Sequence, residues 1–493
     1  MNFKLRHILI FTFLFITNSL TAQYLYEWND YYGGDAQDQL SSLANTFDGN
    51  IILAGSTKDS VDAMWLVKVS PSGQKLWSKL YTGYPLIQPI KVIETSDDNI
   101  LVTGIVAEGD SVPHKIWLIK ISPLGDILWE KLYSGQGDAY VADIVETSDK
   151  GLVIAGGTAP NAHEYTDWYM LKVDSLGNFM WDKSFGTNNE DMALSVDEMY
   201  DSTLIVVGYI SYTYGGNKRA TLSRFTKNGQ DIWYDEIRDG SWSKATAVVA
   251  TSDSSFVMTT TIKNTEQTGN EFINFDIKVM KMTPDGDTIW TNTLRDSLWE
   301  EPVNIIETFD QGYAIAFNSK SHGVFKTNIG VLKINPFGNI AWKRVFNRES
   351  DDYASQIIES EDNGIMVATS TYSIDKAWNF GVLKYKSIEQ SDLYFITPYE
   401  PLLTVYNQKI PIDACIKGYK KPIDVKIYIN RQLITTVTKF AIIPNETSDY
   451  SLQLDLDLKN GLNIVDFVVT DYKEFKFIKT KKIYYLPNAT PHW

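Results

Sequence analysis

Eight side chains of this sequence have the chemistry to bind a ligand, and they fall into an aromatic and an acidic group. Flat aromatic faces stack on the apolar faces of sugars and peptides, while neighbouring carboxylates accept hydrogen bonds. The eight are Trp242, Trp299, Tyr140, Tyr353, Glu300, Glu301, Asp351 and Asp352. Their types, and their position in short polar stretches, indicate a platform for a protein or a glycan.

The acidic residues also have a purely structural interpretation. Asp38, Asp191 and Asp352 stand at matching points of a repeated pattern, each at the start of an apolar strand. Carboxylates at such points commonly accept hydrogen bonds from neighbouring backbone N–H groups rather than from a ligand. Both interpretations stay open for each acid, and the structural one is the commoner.

Motifs for catalysis are missing from the sequence. It has no glycine-rich phosphate loop, no HExxH, no GxSxG and no Cys or His cluster with metal-ligand spacing. The single Cys415 excludes an intrachain disulfide, and the five His are scattered, so no thiol and imidazole pair is indicated. We therefore nominate no catalytic residue, no metal and no cofactor. Paired carboxylates at a suitable separation could still cleave glycosidic bonds.

A long repeat determines where these side chains must lie. One line of it reads WLVKVSPSGQKLWSKLYTG from Trp65 to Gly83 and WLIKISPLGDILWEKLYSG from Trp117 to Gly135. The tryptophan after the turn recurs every 52 residues, with one interval of 57, at Trp77, Trp129, Trp181, Trp233, Trp290 and Trp342. A period of this size is typical of propellers, in which one repeat is one blade.

A second line, such as VIETSDDNILVTG or IVETSDKGLVIAG, precedes the first and occurs seven times. It has two apolar strands around an Asp, Asn or Gly turn, so each unit holds four antiparallel strands. Four-stranded sheets repeated radially form a β-propeller. A β-solenoid also repeats, with shorter coils and atypical caps.

The number of blades follows from the two ends of the repeat. Its third strand occurs seven times, marked by Lys68, Lys120, Lys172, Arg224, Lys281, Lys333 and Lys384. The last of these lacks a following Trp strand, whereas YEWNDYYGG, with Trp28, precedes the first complete unit. We expect the strand around Trp28 to pair with the strand around Lys384, which closes a ring of seven blades and leaves no open edge between the ends. A solenoid would have no use for this displaced strand.

The connections of such a fold divide between two faces. Tight turns join the first to the second and the third to the fourth strand of each blade. The other connections lie together on the opposite, loop-rich face, which is expected to carry function. Four of them, residues 135–140, 238–243, 295–302 and 347–353, contain all eight nominated residues.

The first 22 residues predict export. A positive start precedes an apolar run from Ile8 to Ile16 and a small-residue end before Gln23, which is typical of a signal peptide. The run is too short to span a bilayer, so we expect a periplasmic or extracellular protein with no integral membrane segment after cleavage. The formal charge of −16 disfavours nucleic acid as a partner.

The propeller is predicted over residues 23–388, and residues 389–493 follow a different pattern. Alternation in VKIYI and LQLDLDL, and a turn at Lys459-Asn460-Gly461, predict an antiparallel β-sandwich of immunoglobulin type. The Lys-rich stretch from Lys473 to Lys482 is interpreted as a solvated edge.

The ETSDxG hairpin and the KxxxxGxxxW pair resemble a class of exported bacterial propeller-repeat proteins over residues 24–388. The segments ACIKGYKKPIDVKIYINRQ and LKNGLNIVDFVVTD are similar to a sandwich that precedes caspase-like peptidase domains in some bacterial proteins. No peptidase-like segment follows up to Trp493, so this resemblance implies no catalytic residue. The KxxxxGxxxW pair also resembles quinoprotein propellers, but their threonine-glycine-lysine turn is lacking.

These patterns together predict an all-β, exported, non-enzymatic binding or scaffold protein. A protein or glycan would bind its loop-rich propeller face. The first alternative is a carbohydrate hydrolase or lyase with carboxylates in the central funnel. A quinone-dependent oxidoreductase is disfavoured by the missing turn.

Overall fold

A computed structural model of the chain describes most of residues 24–485. The gaps are 34–35, 59–61, 110–111, 136, 160–164, 214–215, 239, 241, 264–273, 297–298, 321–325, 347–350, 361–362, 373–377, 388–391, 398–401, 418–423, 431, 439–440, 443–448 and 471–475. The predicted signal peptide, residues 1–22, lies outside the described residues. No helix formed by the described residues is long and apolar enough to cross a lipid bilayer.

The strands from Tyr24 to Ser387 form seven four-stranded antiparallel sheets, an arrangement consistent with a β-propeller. We number them sheets 1 to 7 in chain order; each has a first to fourth strand, and β1 is the fourth strand of sheet 7. The strands are β1 Tyr24–Tyr32; in sheet 1, β2 Gln37–Asn45, β3 Ile51–Lys58, β4 Asp62–Val69 and β5 Lys75–Tyr81; in sheet 2, β6 Leu86–Glu94, β7 Ile100–Ala107, β8 Lys115–Ile121 and β9 Ile127–Tyr133; in sheet 3, β10 Asp138–Glu146, β11 Leu152–Ala159, β12 Asp167–Val173 and β13 Phe179–Phe185; in sheet 4, β14 Met192–Glu198, β15 Leu204–Ser211, β16 Lys218–Phe225 and β17 Asp231–Glu236; in sheet 5, β18 Ser243–Ala250, β19 Phe256–Lys263, β20 Phe275–Met282 and β21 Thr288–Leu294; in sheet 6, β22 Glu300–Glu307, β23 Tyr313–Ser319, β24 Asn328–Ile334 and β25 Ile340–Phe346; in sheet 7, β26 Asp352–Glu359, β27 Ile365–Tyr372 and β28 Trp378–Ser387.

The displaced first strand pairs with the last repeat, as the sequence predicts. β1 runs antiparallel to β28, with Trp28 opposite Lys384 and Tyr32 opposite Phe380. The first strands of successive sheets contact one another, and β26 of sheet 7 contacts β2 of sheet 1. The sheets therefore follow one another in a closed circle.

Apolar side chains fill the spaces between neighbouring sheets. One cluster joins Ile52 and Leu66 of sheet 1 to Val102 and Ile119 of sheet 2. The second and third strands of each sheet are buried on both faces, as in the wholly buried β7, because a sheet packs on each side of them. This explains why their sequences are nearly continuous apolar runs rather than alternating ones.

The repeated lysine of the third strand is buried and paired with the aspartate of the first turn. In sheet 3, Lys172 Nζ lies 2.7 Å from an Asp149 oxygen, and the Thr147 hydroxyl donates to the same carboxylate at 2.6 Å. Burial alone would raise the pKa of Asp149, but these hydrogen bonds and that from Gly151 hold it at about 2. The equivalent pairs are Lys68–Asp48, Lys120–Asp97, Arg224–Asp201, Lys281–Asp253 and Lys333–Asp310.

The glutamate of the ETSDxG motif joins one sheet to the one before it. Glu146, the last residue of β10, accepts hydrogen bonds from the backbone N–H and the hydroxyl of Ser96 at 2.8 and 2.9 Å. Glu198 binds Ser148 in the same way. The Glu, Thr, Ser and Asp of the ETSDxG motif therefore form contacts within the scaffold.

The repeated tryptophans pack between neighbouring sheets. Trp233 Nε1 donates to the carbonyl of Pro284 in the next sheet at 3.0 Å, and Trp181 Nε1 donates to that of Lys227 at 3.3 Å. The turn glycine beside Trp181, Gly229, has a φ of 76° and almost touches the indole ring, so a Cβ there would meet both strain and the ring.

The strands after Asp392 form two further sheets. They are β29 Asp392–Thr397, β30 Leu402–Val405, β31 Lys409–Lys417, β32 Asp424–Ile429, β33 Gln432–Val437, β34 Ala441–Ile442, β35 Asp449–Asp457, β36 Gly461–Thr470 and β37 Lys476–Tyr485. Their orders are β29-β31-β35-β34 and β30-β37-β36-β32-β33. Ile412 and Leu452 of one sheet and Val425 and Phe467 of the other belong to one apolar cluster. Assignment of this part to the immunoglobulin type stays a prediction.

Two expectations for this part are wrong. The sheets are not wholly antiparallel, because β30 pairs in parallel with β37. The Lys-rich stretch is not solvated throughout, because Lys481 is only 2% exposed, although β30 pairs with β37 only from Lys482 to Tyr485. A lysine-rich pattern does not by itself show that each lysine is exposed, because burial depends on what packs against that face of the strand.

The ion pair of the buried Lys172 with the more exposed Asp149 predicts unequal effects of removing its two members. Asp149→Ala leaves Lys172, which is 1% exposed, without its counter-ion and should cost about 3 kcal/mol in urea unfolding at pH 7. Lys172→Met leaves a carboxylate that is 36% exposed and solvated, and should cost about 1 kcal/mol. The exposed pair of Lys79 and Asp126 provides the control, because Lys79→Met should change stability by less than about 0.5 kcal/mol.

The pH dependence follows from the lowered pKa of Asp149. A carboxyl whose folded pKa lies below its unfolded value of 3.8 contributes stability above that value and loses it as the pH falls through about 2. The difference between the wild type and Asp149→Ala should therefore shrink below pH 4. If Asp149→Ala and Lys172→Met lose the same free energy of unfolding at pH 7, this account of the ion pair is contradicted.

Closure by β1 predicts a trans-complementation. A variant lacking residues 24–32 exposes the backbone of β28 and should unfold at a lower temperature and associate, because an unpaired edge recruits other strands. A synthetic peptide of residues 24–32 should restore the midpoint in a saturable manner, whereas a scrambled peptide should not. Unchanged thermal unfolding and light scattering of the truncated protein would refute the role of this pairing.

Candidate functional site

All eight nominated residues lie at the loop-rich face, near the starts of the first strands. Counted back from the last residue of each first strand, Trp242, Trp299 and Asp351 stand eight positions away. Glu300 and Asp352 stand seven positions away, and Tyr140, Glu301 and Tyr353 stand six positions away. The repeat thus brings together residues that are far apart in sequence.

The acids seven positions away are internal. Glu300 and Asp352 are both fully buried, and Glu300 accepts a hydrogen bond of 3.0 Å from the Ser319 hydroxyl. Their equivalent in sheet 4, Asp191, accepts hydrogen bonds from the backbone N–H groups of Thr187 and Ser211. The structural interpretation of Asp191 is therefore confirmed, and burial removes Glu300 and Asp352 from the surface on which a ligand would rest.

The other two acids are held by neighbours. Asp351 accepts a hydrogen bond of 2.8 Å from the backbone N–H of Thr327. Glu301 forms an ion pair with Lys244, which stands at the same repeat position in sheet 5. Both carboxylates therefore already have a partner within the protein.

Two nominated tryptophans are linked by a phenylalanine that the sequence analysis missed. The Trp242 and Phe275 rings lie 4.8 Å apart, and Phe275 forms a parallel β-bridge with Trp299. Lys320 Nζ lies 5.1 Å from the centre of a Trp299 ring. These residues, from sheets 5 and 6, form what we call the first aromatic group.

A second aromatic group lies on sheet 7. Tyr353 packs against Trp378 at 5.8 Å between ring centres, and Trp378 packs against Tyr372 at 5.3 Å. Tyr353 is 39% exposed, and its hydroxyl lies 3.4 Å from that of Thr327. The two groups together present aromatic side chains from three consecutive sheets.

Tyr140 belongs to neither group. Its hydroxyl donates to Asp138 at 2.9 Å, and the ring of His114 meets it edge-on at 6.1 Å. His114 Nδ1 lies 2.9 Å from the other Asp138 oxygen. Burial, reinforced by Asp138, raises the pKa of Tyr140, so this hydroxyl stays protonated at neutral pH.

The residues missed by the sequence analysis share one repeat position. Phe275 and Trp378 both stand six residues before the marker lysines Lys281 and Lys384. In sheets 2 and 6, His114 and Thr327 stand there and contact the next first strand through Tyr140 and Asp351. An alignment of the repeats at the position six residues before each marker lysine would have shown that this position adjoins the nominated ones.

Below the nominated residues, polar side chains join the first strands to one another. Ser42 accepts a hydrogen bond of 2.9 Å from the backbone N–H of Val92 in the next sheet, and Ser195 accepts one of 3.2 Å from Val248. Asp143, Asn304 and Gln356 accept the corresponding hydrogen bonds at their own seams. Because Gln356 accepts from Leu43, sheet 7 is joined to sheet 1 by the same bond as the others.

One carboxylate in this region stands where the other sheets have apolar residues. The equivalents of Asp197 are Ala44, Ile93, Val145, Val249, Ile306 and Ile358. Burial raises the pKa of Asp197 to about 6, and the charge of Asp143 adds to this rise. Backbone hydrogen bonds from Ala250 and Glu198, and the charge of Lys91, act in the opposite direction.

Within the described ranges, no three His, Cys, Asp or Glu side chains come together as ligands for a metal ion.

Comparisons with known proteins concern the fold alone. No family model matches the chain, and no curated protein matches it. The extracellular domain of a hybrid two-component system from B. thetaiotaomicron matches with a TM-score of 0.44 and 10% identity, over 94% of this chain and 60% of that one. This chain thus spans less than two thirds of that length.

Two further solved structures illustrate the range of similar proteins. The β-propeller domain of the Trilobed protease from Pyrococcus furiosus has a TM-score of 0.37 and 10% identity, over 81% of this chain and 94% of that one. An alpha-L-arabinanase from Penicillium chrysogenum, complexed with arabinobiose, has a TM-score of 0.40 and 9% identity, over 73% and 98% of the two chains.

The raised pKa of Asp197 predicts a stability that falls as the pH rises. A carboxyl whose folded pKa lies above its unfolded value of 3.8 favours folding most at low pH and loses that contribution as the pH rises to about 6. The whole change is about 3 kcal/mol. Asp197→Asn should flatten the dependence of urea unfolding between pH 4 and 6.5.

The exposed Asp235 provides a matched control, because Asp235→Asn removes a carboxyl on the outer strand of the same sheet. This variant should keep the wild-type pH dependence. If Asp197→Asn also keeps it, Asp197 does not titrate in this range.

Proposed function

We propose that this chain is an exported, non-enzymatic binding or scaffold protein that recognises a protein or glycan on its loop-rich face. In this proposal the seven sheets are the blades of a closed propeller, and the last hundred residues are an immunoglobulin-like sandwich. Removal of the N-terminal signal peptide would release the protein to the periplasm or the cell exterior.

The clustering of aromatic side chains at the loop-rich face supports this proposal. Trp242, Phe275 and Trp299 gather on sheets 5 and 6, and Tyr353 and Trp378 gather on sheet 7. Aromatic side chains dominate the affinity of many interfaces because they bury large areas at a small cost in conformational entropy. The repeat scaffold has no need of them, since its own tryptophans lie between the sheets.

The state of the nominated acids favours binding over catalysis. Glu300 and Asp352 are buried, Glu301 is paired with Lys244, and Asp351 accepts a backbone hydrogen bond. A glycoside hydrolase needs one carboxyl that donates a proton and another that acts as base or nucleophile. The aromatic groups therefore supply the better-supported function, and the hydrolase or lyase becomes the alternative.

Affinity capture with matched variants tests the proposal. The immobilised full chain should retain a partner from envelope and medium fractions, and Trp242→Ala, Trp299→Ala and Tyr353→Ala should each reduce retention about tenfold or more. The control is Phe47→Ala, because Phe47 is 70% exposed on the opposite face.

Equal capture by all four variants would reject this placement of the binding face. Glycosidic cleavage in purified protein that is lost in Glu301→Gln would instead establish the alternative.

A further inference from the structure

Two exposed tyrosines on sheet 4 share a single carboxylate. Tyr212 follows the last residue of β15, and Tyr234 lies on β17. Both hydroxyls donate to the same oxygen of Glu236, the last residue of β17. Arg219 lies 3.3 Å from the other Glu236 oxygen, and its guanidinium stands 5.3 Å from the centre of the Tyr212 ring. We call these four residues the sheet 4 tyrosine group.

The group holds its rings in place and leaves them exposed. Tyr212 is 50% exposed and Tyr234 is 46% exposed. The hydrogen bond to Glu236 raises the pKa of Tyr212, and burial followed by Glu236 raises that of Tyr234. Both phenols are therefore neutral, with their hydroxyls committed to Glu236. A ligand would find two rings whose orientation is already fixed, which reduces the entropy lost on binding.

A second charged cluster lies on the other face of β16. Lys218 Nζ lies 3.8 Å from the centre of the Tyr209 ring and 3.0 Å from a Glu190 oxygen. The Tyr209 hydroxyl also donates to Glu190. Lys218 and Arg219 are neighbours on β16, so their side chains leave the strand on opposite faces. This arrangement ties Lys218 to the scaffold and leaves Arg219 with the exposed rings.

The repeat shows that the scaffold does not require a tyrosine at the position of Tyr234. The position after the repeated tryptophan holds Tyr234 in sheet 4 but Asn29, Ser78, Glu130, Asp182, Thr291 and Lys343 in the other sheets. The Arg219–Glu236 ion pair is partly buried, with side chains 36% and 12% exposed. The group therefore exposes two large rings, one just after β15 and one on the outer strand of sheet 4, above a held ion pair.

We propose that the sheet 4 tyrosine group is a subsite for a neutral glycan. A pyranose ring has a face of C–H groups that stacks on an aromatic ring, and hydroxyls at its edge that can accept from the remaining N–H groups of the Arg219 guanidinium. The net charge of −16 opposes a polyanionic glycan. This inference rests on the proposed function and narrows its ligand to one class and one sheet.

A glycan microarray with neutral and acidic members tests the subsite, followed by affinity electrophoresis in gels that contain the best-bound soluble polysaccharide. The full-length wild type should bind neutral members. The double variant Tyr212→Ala with Tyr234→Ala should bind about tenfold more weakly or less, because stacking contacts of this kind dominate affinity.

Two control variants separate the rings from other effects. Tyr212→Phe keeps the ring and should retain most of the binding. Tyr200→Ala removes a tyrosine that is 73% exposed on the opposite face and should bind as the wild type does. Matching circular dichroism and thermal midpoints of all variants would show that folding is unchanged.

The outcomes distinguish this inference from the proposed function. If the double variant still binds glycan and Trp242→Ala does not, the subsite is overturned. The proposed binding at the loop-rich face is then retained. Capture of a protein or proline-rich peptide, with no glycan bound, overturns the glycan class alone. Absence of any binding partner overturns both.

Discussion

The pairing of β1 with β28 is the contact on which the rest of the structure depends. A four-stranded sheet packs on its neighbours through both faces, so an open row of sheets would leave an apolar face exposed at each end. By placing Trp28 opposite Lys384, the chain uses its start to complete its last repeat. Separating the two would then break hydrogen bonds along a whole strand and not only side-chain contacts.

Within the circle, the recurring residues serve the seams between sheets. The lysine of the third strand holds the turn aspartate, the glutamate of the first strand binds the preceding turn, and the tryptophan covers the next turn. Sheet 3 shows the first two through Lys172 and Glu146, and Trp181 shows the third. Function is therefore to be sought where the repeat varies. Sheets 5 to 7 vary at the start of the third strand, and sheet 4 varies on its fourth strand.

Two carboxylates at the seams show how local partners decide charge. Asp149 and Asp197 both lie at seams, yet their pKa values move in opposite directions. Asp149 has the ammonium group of Lys172 at 2.7 Å, which outweighs the cost of burial. Asp197 has backbone N–H donors and a neighbouring Asp143, and burial prevails. Carboxylates in sheets with the same fold can therefore have pKa values shifted in opposite directions.

Sequence predicted the strands of the repeat well because apolar periodicity and turn residues are local properties. It predicted less at the site, where Phe275 meets Trp242 and Trp299 only because sheets 5 and 6 are neighbours. It failed at Lys481, which the Lys-rich pattern places in solvent but which is only 2% exposed, and it missed the parallel pairing of Leu402 with Lys482. Burial and pairing depend on segments that are distant in sequence, and a local pattern does not contain that information.

By itself, the sequence determined the repeat, its four strands and the displaced strand that joins the two ends. Those features follow from the spacing of apolar, turn and tryptophan residues along one chain. Only the tertiary structure decided which nominated acids are buried, which aromatic rings meet and that Tyr212 and Tyr234 share Glu236. The reason is physical, because burial and ring contact are set by side chains from strands that are distant in sequence and adjacent in space.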